Sequence, residues 1–419
     1  MIMRVAHLLR KLDPAEWSGT EMAIQRLLDG LRAHGVSPVV YCPRLETASD
    51  DPLVQAGFPV RRYKAFLPVI GLSPQRRKQM VAVGGNLMSL ELIPALWQDK
   101  ELSIVHTHTL GRLGGIALTL ARRRRIPFVV TIHGGVLDLP EKVKESFNAP
   151  TSEGWEWGKF FGILFRSHRL FVDADAILTC NEKEAALLQE QLPEKRIAVQ
   201  PHGVPLEIYR KEQREAARTA FPQIVGREVL LCLGRIDPIK NQLWLLEQAP
   251  AFLKRHPNTL LVLAGPCTDE AYGQRVEQTL RESELQERVL LTGGMPAYDP
   301  RLIGLLQSAS AVIVPSLSET FGLVILEAWA AGAMVIASGA SGPAALIKHG
   351  SNGWLFELNQ PETFHRALDE TLANPARARA MAQKGGRVSE QYGVNALAGR
   401  LKSLYEELIE EKNALRNHS

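Results

Sequence analysis

Residues 311–327 read Ala311-Val-Ile-Val-Pro-Ser-Leu-Ser-Glu-Thr-Phe-Gly-Leu-Val-Ile-Leu-Glu327. The apolar run Ala311–Val314 predicts a buried strand, and the residues from Leu323 onward predict a helix. Two carboxylates, Glu319 and Glu327, therefore bracket a helix start at the carboxyl end of a strand. Ligands of open α/β sheets bind at that edge. The free N–H groups and positive dipole end of the helix suit an anion such as a phosphate. A polyhydroxylated ligand carrying phosphate accounts for the two acids: the N–H groups take the phosphate and the carboxylates take hydroxyls.

Working outward, strand and helix alternate along both halves of the chain. Strands are expected at Val5–Leu9, Pro38–Tyr41, Ile104–His106, Phe128–Ile132, Ala176–Thr179 and Ile197–Val199, with helices at Glu21–Ala33, Gly111–Arg122 and Glu182–Gln191. After the turn-rich break Pro201-His-Gly-Val-Pro205 the rhythm restarts, with strands at Val229–Leu233, Leu260–Ala264, Val289–Thr292, Ala311–Val314 and Met334–Ala337. Helices are expected at Gln242–Arg255, Tyr272–Glu282, Pro300–Ser308 and Leu323–Ala331, and a long amphipathic one at Val394–Lys412. Such alternation implies two Rossmann-like, doubly wound, mostly parallel sheets. The expected boundaries are 1–203 for an N-terminal domain, joined by a C-terminal helix at about 392–415, and 204–391 for the second domain. A cleft between two such domains is the default ligand site.

The 419 residues carry a formal charge of +4, which gives no ground for a nucleic-acid partner. No stretch approaches the roughly 20 apolar residues of a membrane span. The N-terminus has no signal-peptide layout, so a cytoplasmic protein is expected, placed by its acceptor at the inner face of a membrane at most. Cys42, Cys180, Cys232 and Cys267 lie far apart and read as small buried core residues. Between Arg61 and Lys78, six cations mix with Tyr63, Phe66, Leu67, Val69, Ile70 and Leu72. Two readings stand, a solvated loop beside a helix, which is preferred, and a basic apolar surface for an anionic membrane or lipid-linked substrate. The run Arg122–Arg125 reads as dipole complementation at a helix C-terminus and a solvated face.

The second domain opens with a strand and then Gly234-Arg-Ile-Asp-Pro-Ile-Lys-Asn241. Arg235 follows the strand end and Lys240 precedes a helix, so both are expected beside Glu319 and Glu327. A forked guanidinium with a compact ammonium suits a diphosphate.

These residues in this order resemble the retaining glycosyltransferases of the GT-B fold, glycosyltransferase family 4. Further motifs carry the resemblance over nearly the whole chain: Ser18-Gly-Thr-Glu21, Val105-His-Thr-His108, Thr131-Ile-His-Gly134, Asn181-Glu182, Pro201-His-Gly-Val204, Ala264-Gly265, Pro315-Ser316 and Gly350-Ser-Asn-Gly353. The resemblance implies transfer of a sugar from a nucleotide diphosphate sugar, UDP-sugar favoured, to a hydroxyl acceptor, a glycan, lipid-linked glycan or small molecule. It implies Glu319 on the donor sugar, Glu327 on the ribose, and backbone N–H groups near Phe321, Gly322 and Leu323 on the distal phosphate. Arg235 and Lys240, after Gly234, would neutralise the leaving diphosphate, so no cofactor and no metal is expected, and no Asp-x-Asp cluster is placed to bind one. Gly294 and Met295 would lie near the nucleotide base, Gly19 near the donor, His133 at the reaction centre, and His108 with His133 at the acceptor.

His106 and His108 alternate, so they are expected on opposite sides of a strand end, one of them structural, and His202 is expected to be structural. Two departures from the family pattern stand out: Ser18-Gly19 replaces a glycine pair, and Ser341-Gly-Pro-Ala-Ala345 replaces a Gly-Gly-x-x-Glu run and reads as local tuning. Rival readings are a sugar-nucleotide epimerase, a phosphorylase of the same two-domain plan, and a non-catalytic partner subunit of a transferase. The last would be expected to have lost Arg235, Lys240 or Glu319.

Overall fold

The computed structural model describes residues 2–12, 19–44, 51–71, 73, 87–133, 155–156 and 159–417. The chain divides into two compact units, Met1–His202 with Asn395–Ser419, and Gly203–Val394. The strands of the first unit are β1 (Arg4–Leu8), β2 (Ser37–Pro43), β3 (Val60–Tyr63), β4 (Val69–Ile70), β5 (Leu102–Thr107), β6 (Phe128–Ile132), β7 (Trp155–Glu156), β8 (Ala176–Thr179) and β9 (Ile197–Val199). Among the described residues seven of them form one sheet in the order β3-β2-β1-β5-β6-β8-β9, with every pairing parallel. The order reverses between β1 and β5, which opens a crevice at their carboxyl ends.

Parallel strands covered on both faces read as continuous apolar runs, and the packing shows why. On one face the helix Gly111–Arg124 sets Leu113, Ile116, Ala117 and Leu120 against Leu8, Val105 and Val130. On the other face the terminal helix Val394–Asn417 buries Ala398, Leu401, Tyr405 and Leu408 against Val5, Ile104, Val129 and Ala176.

The second unit carries β10 (Glu228–Leu233), β11 (Thr259–Ala264), β12 (Val289–Gly293), β13 (Ala309–Val314), β14 (Val335–Ser338) and β15 (Trp354–Phe356), in the parallel order β12-β11-β10-β13-β14-β15. Its reversal lies between β10 and β13. Leu245, Leu246, Ala249 and Phe252 of the helix Gln242–Arg255 pack on Leu230, Leu261 and Ile313, together with Phe364 and Leu368 of the helix Pro361–Ala373.

Three expectations need correction. Part of the stretch taken as irregular is strand β3, paired through Arg61 and Arg62 to β2. Arg62 is used internally, on Asp51 at 2.5 Å and on the carbonyls of Leu12 and Pro43. Tyr63, Leu67 and Val69 are core residues, while Ile70 is exposed. Neither a solvated loop nor an apolar membrane surface describes this part, and residues 72 and 74–78 lie outside the described residues. Cys267 is exposed, unlike the other three cysteines, because it follows the end of β11 rather than lying within it. The Arg122–Arg125 run is also more than a solvated face: Arg124 donates to the carbonyls of Leu96 and Asp99, and Arg125 takes the left-handed cap position at φ 55°. No helix among the described residues is long and apolar enough to cross a membrane.

Candidate active site

The reversal between β10 and β13 is where the predicted donor residues meet. Gly265, after β11, donates to the Gly293 carbonyl at 3.0 Å, and Gly234 donates to the Ala264 carbonyl at 2.9 Å. The backbones come so close that a Cβ on Gly265 would lie 2.0 Å from the Gly234 oxygen. Only glycine fits there.

From Gly234 the loop runs out over the strand ends and is stitched down by its own side chains. Arg235 pairs with Asp237 at 3.0 Å, and Asp237 also accepts from the Lys240 N–H at 2.9 Å. Gln242 donates to the Arg235 carbonyl at 2.7 Å. Asn241 sits in the left-handed region at φ 60° and donates to the Pro315 carbonyl at 3.1 Å. Leu317 donates to the Ile239 carbonyl at 2.8 Å. The loops after β10 and β13 are thus tied together, and Lys240 Nζ lies 2.5 Å from Glu319 Oε2.

Glu319 is held from several directions. Its Oε1 accepts from the Gly322 N–H at 3.2 Å, and its carbonyl accepts from Gly342 N–H at 2.8 Å and the Ser341 hydroxyl at 3.4 Å. A Cβ on Gly342 would fall 2.6 Å from the Glu319 oxygen and 2.7 Å from the Phe321 nitrogen. Gly322 caps the helix Leu323–Ala330 at φ 91°, ψ 46°, a conformation that suits glycine. Phe321 packs edge-on against Tyr392, with ring centroids 5.8 Å apart. Glu327, in the second turn, is buried.

Gly234, Arg235, Lys240, Glu319, Phe321, Gly322, Leu323 and Glu327 are therefore gathered on one edge of one sheet. Gly294 reaches the same edge by packing on Pro266, next to Gly265, and the half-buried Met295 follows it. One expected feature differs. The Gly322 N–H, read as a phosphate donor, is taken by Glu319, since a carboxylate beside a helix N-terminus satisfies the same positive end. The sequence reading missed Asp237, visible as an acid two residues after Arg235, and gave Gly265 and Gly342 no role although both stood in quoted motifs.

The first unit gathers histidines at its own reversal. His7 on β1 and His106 on β5 are direct neighbours in the sheet register. His7 Nδ1 lies 3.0 Å from His108 Nε2, and His108 Nδ1 lies 2.9 Å from His133 Nε2. His202 stacks on His133 with centroids 5.3 Å apart. The expectation that His106 and His108 face opposite sides is overturned, for their rings lie 4.3 Å apart. Side chains two residues apart in an extended chain share a face, so the strand period itself sets His108 beside His106. Burial keeps these imidazoles neutral: it pushes His7 and His202 down to about 3, His133 to about 4, and His106 and His108 well below the usual range. Gly19 opens the helix Gly19–Ala33, while Ser18 and Gly134 lie outside the described residues.

Two triplets, His7/His106/His108 and His133/Cys180/His202, each bring their ligand atoms within 4.8 Å. Both nitrogens of His106 are engaged, by the Tyr405 hydroxyl at 2.5 Å and the Thr131 hydroxyl at 2.6 Å. Cys180 Sγ lies 3.5 and 3.9 Å from the two nitrogens of His202 and donates to the Ile132 carbonyl at 3.3 Å, and burial pushes its thiol up, away from the thiolate a metal takes. Neither triplet is arranged as a coordination shell.

Comparison with known proteins agrees with this architecture. Residues 18–203 match the model of the glycosyl transferase 4-like domain, and residues 213–388 match that of glycosyl transferases group 1. A D-inositol 3-phosphate glycosyltransferase of Frankia alni is 30% identical over 299 residues, 68% of this chain and 70% of the relative. One of Kineococcus radiotolerans is 27% identical over 443 residues, 99% of this chain and 98% of the relative. Among solved structures, Anabaena HepE in complex with UDP and glucose superposes with a TM-score of 0.70 at 17% identity, covering 97% of this chain and all of that one. The sucrose-phosphate synthase of Thermosynechococcus elongatus gives 0.71 at 20% identity, covering 98% of this chain and 100% of that one. With two parallel α/β sheets, strand-end loops of the expected kind and family matches over both halves, the chain belongs to the group 1 glycosyl transferases, glycosyltransferase family 4, of GT-B fold.

Proposed function

We propose that this glycosyltransferase moves a sugar from a nucleotide diphosphate sugar, with UDP the favoured nucleotide, to a hydroxyl acceptor with retention at the anomeric carbon. The observation that carries the reading is the pair of cations, Lys240 on Glu319 and Arg235 on Asp237, held at one strand edge beside a helix N-terminus. Departure of the diphosphate is the difficult step, and fixed charge where negative charge develops lowers that barrier most. Each cation is paired with an acid. A diphosphate, carrying more charge than one carboxylate, would draw Lys240 off Glu319 and leave that acid free to accept from vicinal sugar hydroxyls.

Glu327, buried on the helix, is assigned to the ribose. Glu327→Ala is expected to weaken binding of the free nucleoside diphosphate ~10- to 100-fold, the loss of about 1.5–3 kcal/mol of hydrogen bonding to a charged group. Glu319→Ala is expected to leave that affinity nearly intact and to impair transfer instead. Calorimetric titration beside turnover assays separates the two, and the reverse pattern would exchange the assignments.

By resemblance, Gly19 and His133 are assigned to the donor and His108 to the acceptor. The relatives named for D-inositol 3-phosphate make an anionic polyol the first acceptor to test, ahead of glycans and lipid-linked sugars. Because Arg235 and Lys240 supply the positive charge, turnover is expected to persist in excess chelator. Loss of activity that added magnesium or manganese restores would count against this mechanism.

A further inference from the structure

The histidines of the first unit do more than crowd one another. His7, His108 and His133 form a linear hydrogen-bonded series through His7 Nδ1–His108 Nε2 and His108 Nδ1–His133 Nε2. Its two end atoms, His7 Nε2 and His133 Nδ1, are buried and have no hydrogen-bond partner among the described residues. His106 stacks beside the series but is not a link in it, since its nitrogens go to Tyr405 and Thr131. None of the three rings is bonded to a carboxylate in these contacts, and burial keeps all of them neutral.

A neutral imidazole has one N–H and one lone pair. Each link needs one donor and one acceptor, so only two proton arrangements satisfy both links. In one, all three rings carry the proton on Nδ1, each donates towards His133, and His133 Nδ1–H is left as a donor. In the other, all three carry it on Nε2, the donors run towards His7, and His133 Nδ1 is left as a bare lone pair. A mixed arrangement puts two N–H groups, or two lone pairs, face to face across about 3 Å in a dry site, at a cost of roughly 1–3 kcal/mol for the unmade bond.

We infer that His7 and His108 are positioning residues which lock the tautomer of His133, so that its Nδ1 meets a ligand hydroxyl as a donor or an acceptor decided by all three rings together. His202, stacked on His133, walls the series without entering it. The contribution to catalysis rests on the assignment of His133 to the donor sugar made above. The tautomer lock does not.

The test is a long-range nitrogen–proton correlation spectrum of the full-length protein labelled with 15N-histidine, in which each ring reports its tautomer. His7, His108 and His133 are expected to show one shared tautomer, with equal populations if both arrangements occur. Tautomers that differ among the three, or a charged ring at pH 7, would overturn the lock even if no variant folds. His108→Phe, which breaks both links, is expected to change the His133 tautomer population and to lower kcat ~10²-fold, the scale of one oriented proton-transferring group, with a smaller change in donor KM. His108→Gln, whose amide can both donate and accept, is expected to recover most of that loss. An unchanged His133 signal in His108→Phe, or no recovery with Gln, would assign His108 to packing alone. Should no nucleotide sugar be turned over by the wild type, the transferase assignment fails while the wild-type spectrum still decides the lock.

Discussion

Lys240→Ala is expected to lower turnover by ~10³-fold or more, the scale of removing a cation from a phosphate leaving group, while the fold survives. The ammonium is the partner of Glu319 at 2.5 Å, so its removal acts twice. The diphosphate loses one of two cations, and before binding Glu319 loses its charged partner, keeping only the Gly322 N–H. The fold is spared because the loop is anchored by its backbone: Lys240 N–H on Asp237, Asn241 on the Pro315 carbonyl and Leu317 on the Ile239 carbonyl all remain. The side chain is partly exposed, so its pairing adds little to stability. Lys240→Arg is not expected to rescue, because a planar fork cannot replace a compact ammonium at that separation. Steady-state turnover and a thermal melt of the same preparations check both halves. A variant with near-normal turnover would remove the diphosphate assignment from Lys240.

Gly265→Ala is the second large effect, and it comes through the backbone. The new Cβ would lie 2.0 Å from the Gly234 carbonyl oxygen and 2.6 Å from its carbon, at a backbone φ of +147° that side chains rarely adopt. The Gly234–Arg235 segment must move or Gly265 must change conformation. Strain and overpacking together are expected to cost ~2–5 kcal/mol of stability. The displaced Arg235 should also abolish measurable nucleoside diphosphate binding in whatever fraction folds. Gly226→Ala is the control: φ is +74° but nothing lies within 4 Å, so only the left-handed penalty of about 1–2 kcal/mol applies. Equal melting temperatures for the two variants would show that the close approach does not matter.

The two positions differ in how far the sequence reveals them. Lys240 and Glu319 could be read directly, because each lies a few residues past a strand end that its apolar run marks, and Glu327 because it falls on the helix that follows. Phe128–Ile132, Ala176–Thr179 and Gln242–Arg255 come out with the bounds the periodicity indicates. The edge strand Val60–Tyr63 was hidden because Arg61 and Arg62 break the apolar run, and an edge strand needs less burial than a central one. The helix Pro375–Glu390 was not read because Gly385-Gly386 looks like a break. Its cause is tertiary, for a Cβ on Gly385 would sit 2.3 Å from the Trp329 indole nitrogen.

The histidine series was the least legible part. His7 and His108 stand 101 residues apart, on strands whose adjacency is decided by sheet order alone. The strand period was misapplied to His106 and His108, since residues two apart share a face. Asp237 was missed for a different reason. Its role is to hold Arg235, and a partner of that kind is recognised only once the loop's shape is known.

The most direct measurement is release of nucleoside diphosphate from a panel of nucleotide sugars, with the wild-type chain and Lys240→Ala run side by side, each with and without an anionic polyol acceptor. The expected result is release from at least one donor by the wild type, and its near disappearance in Lys240→Ala despite an unchanged melting temperature. No binding or release with any nucleotide sugar, or equal release by the two proteins, would contradict the assignment of this strand edge to a sugar donor.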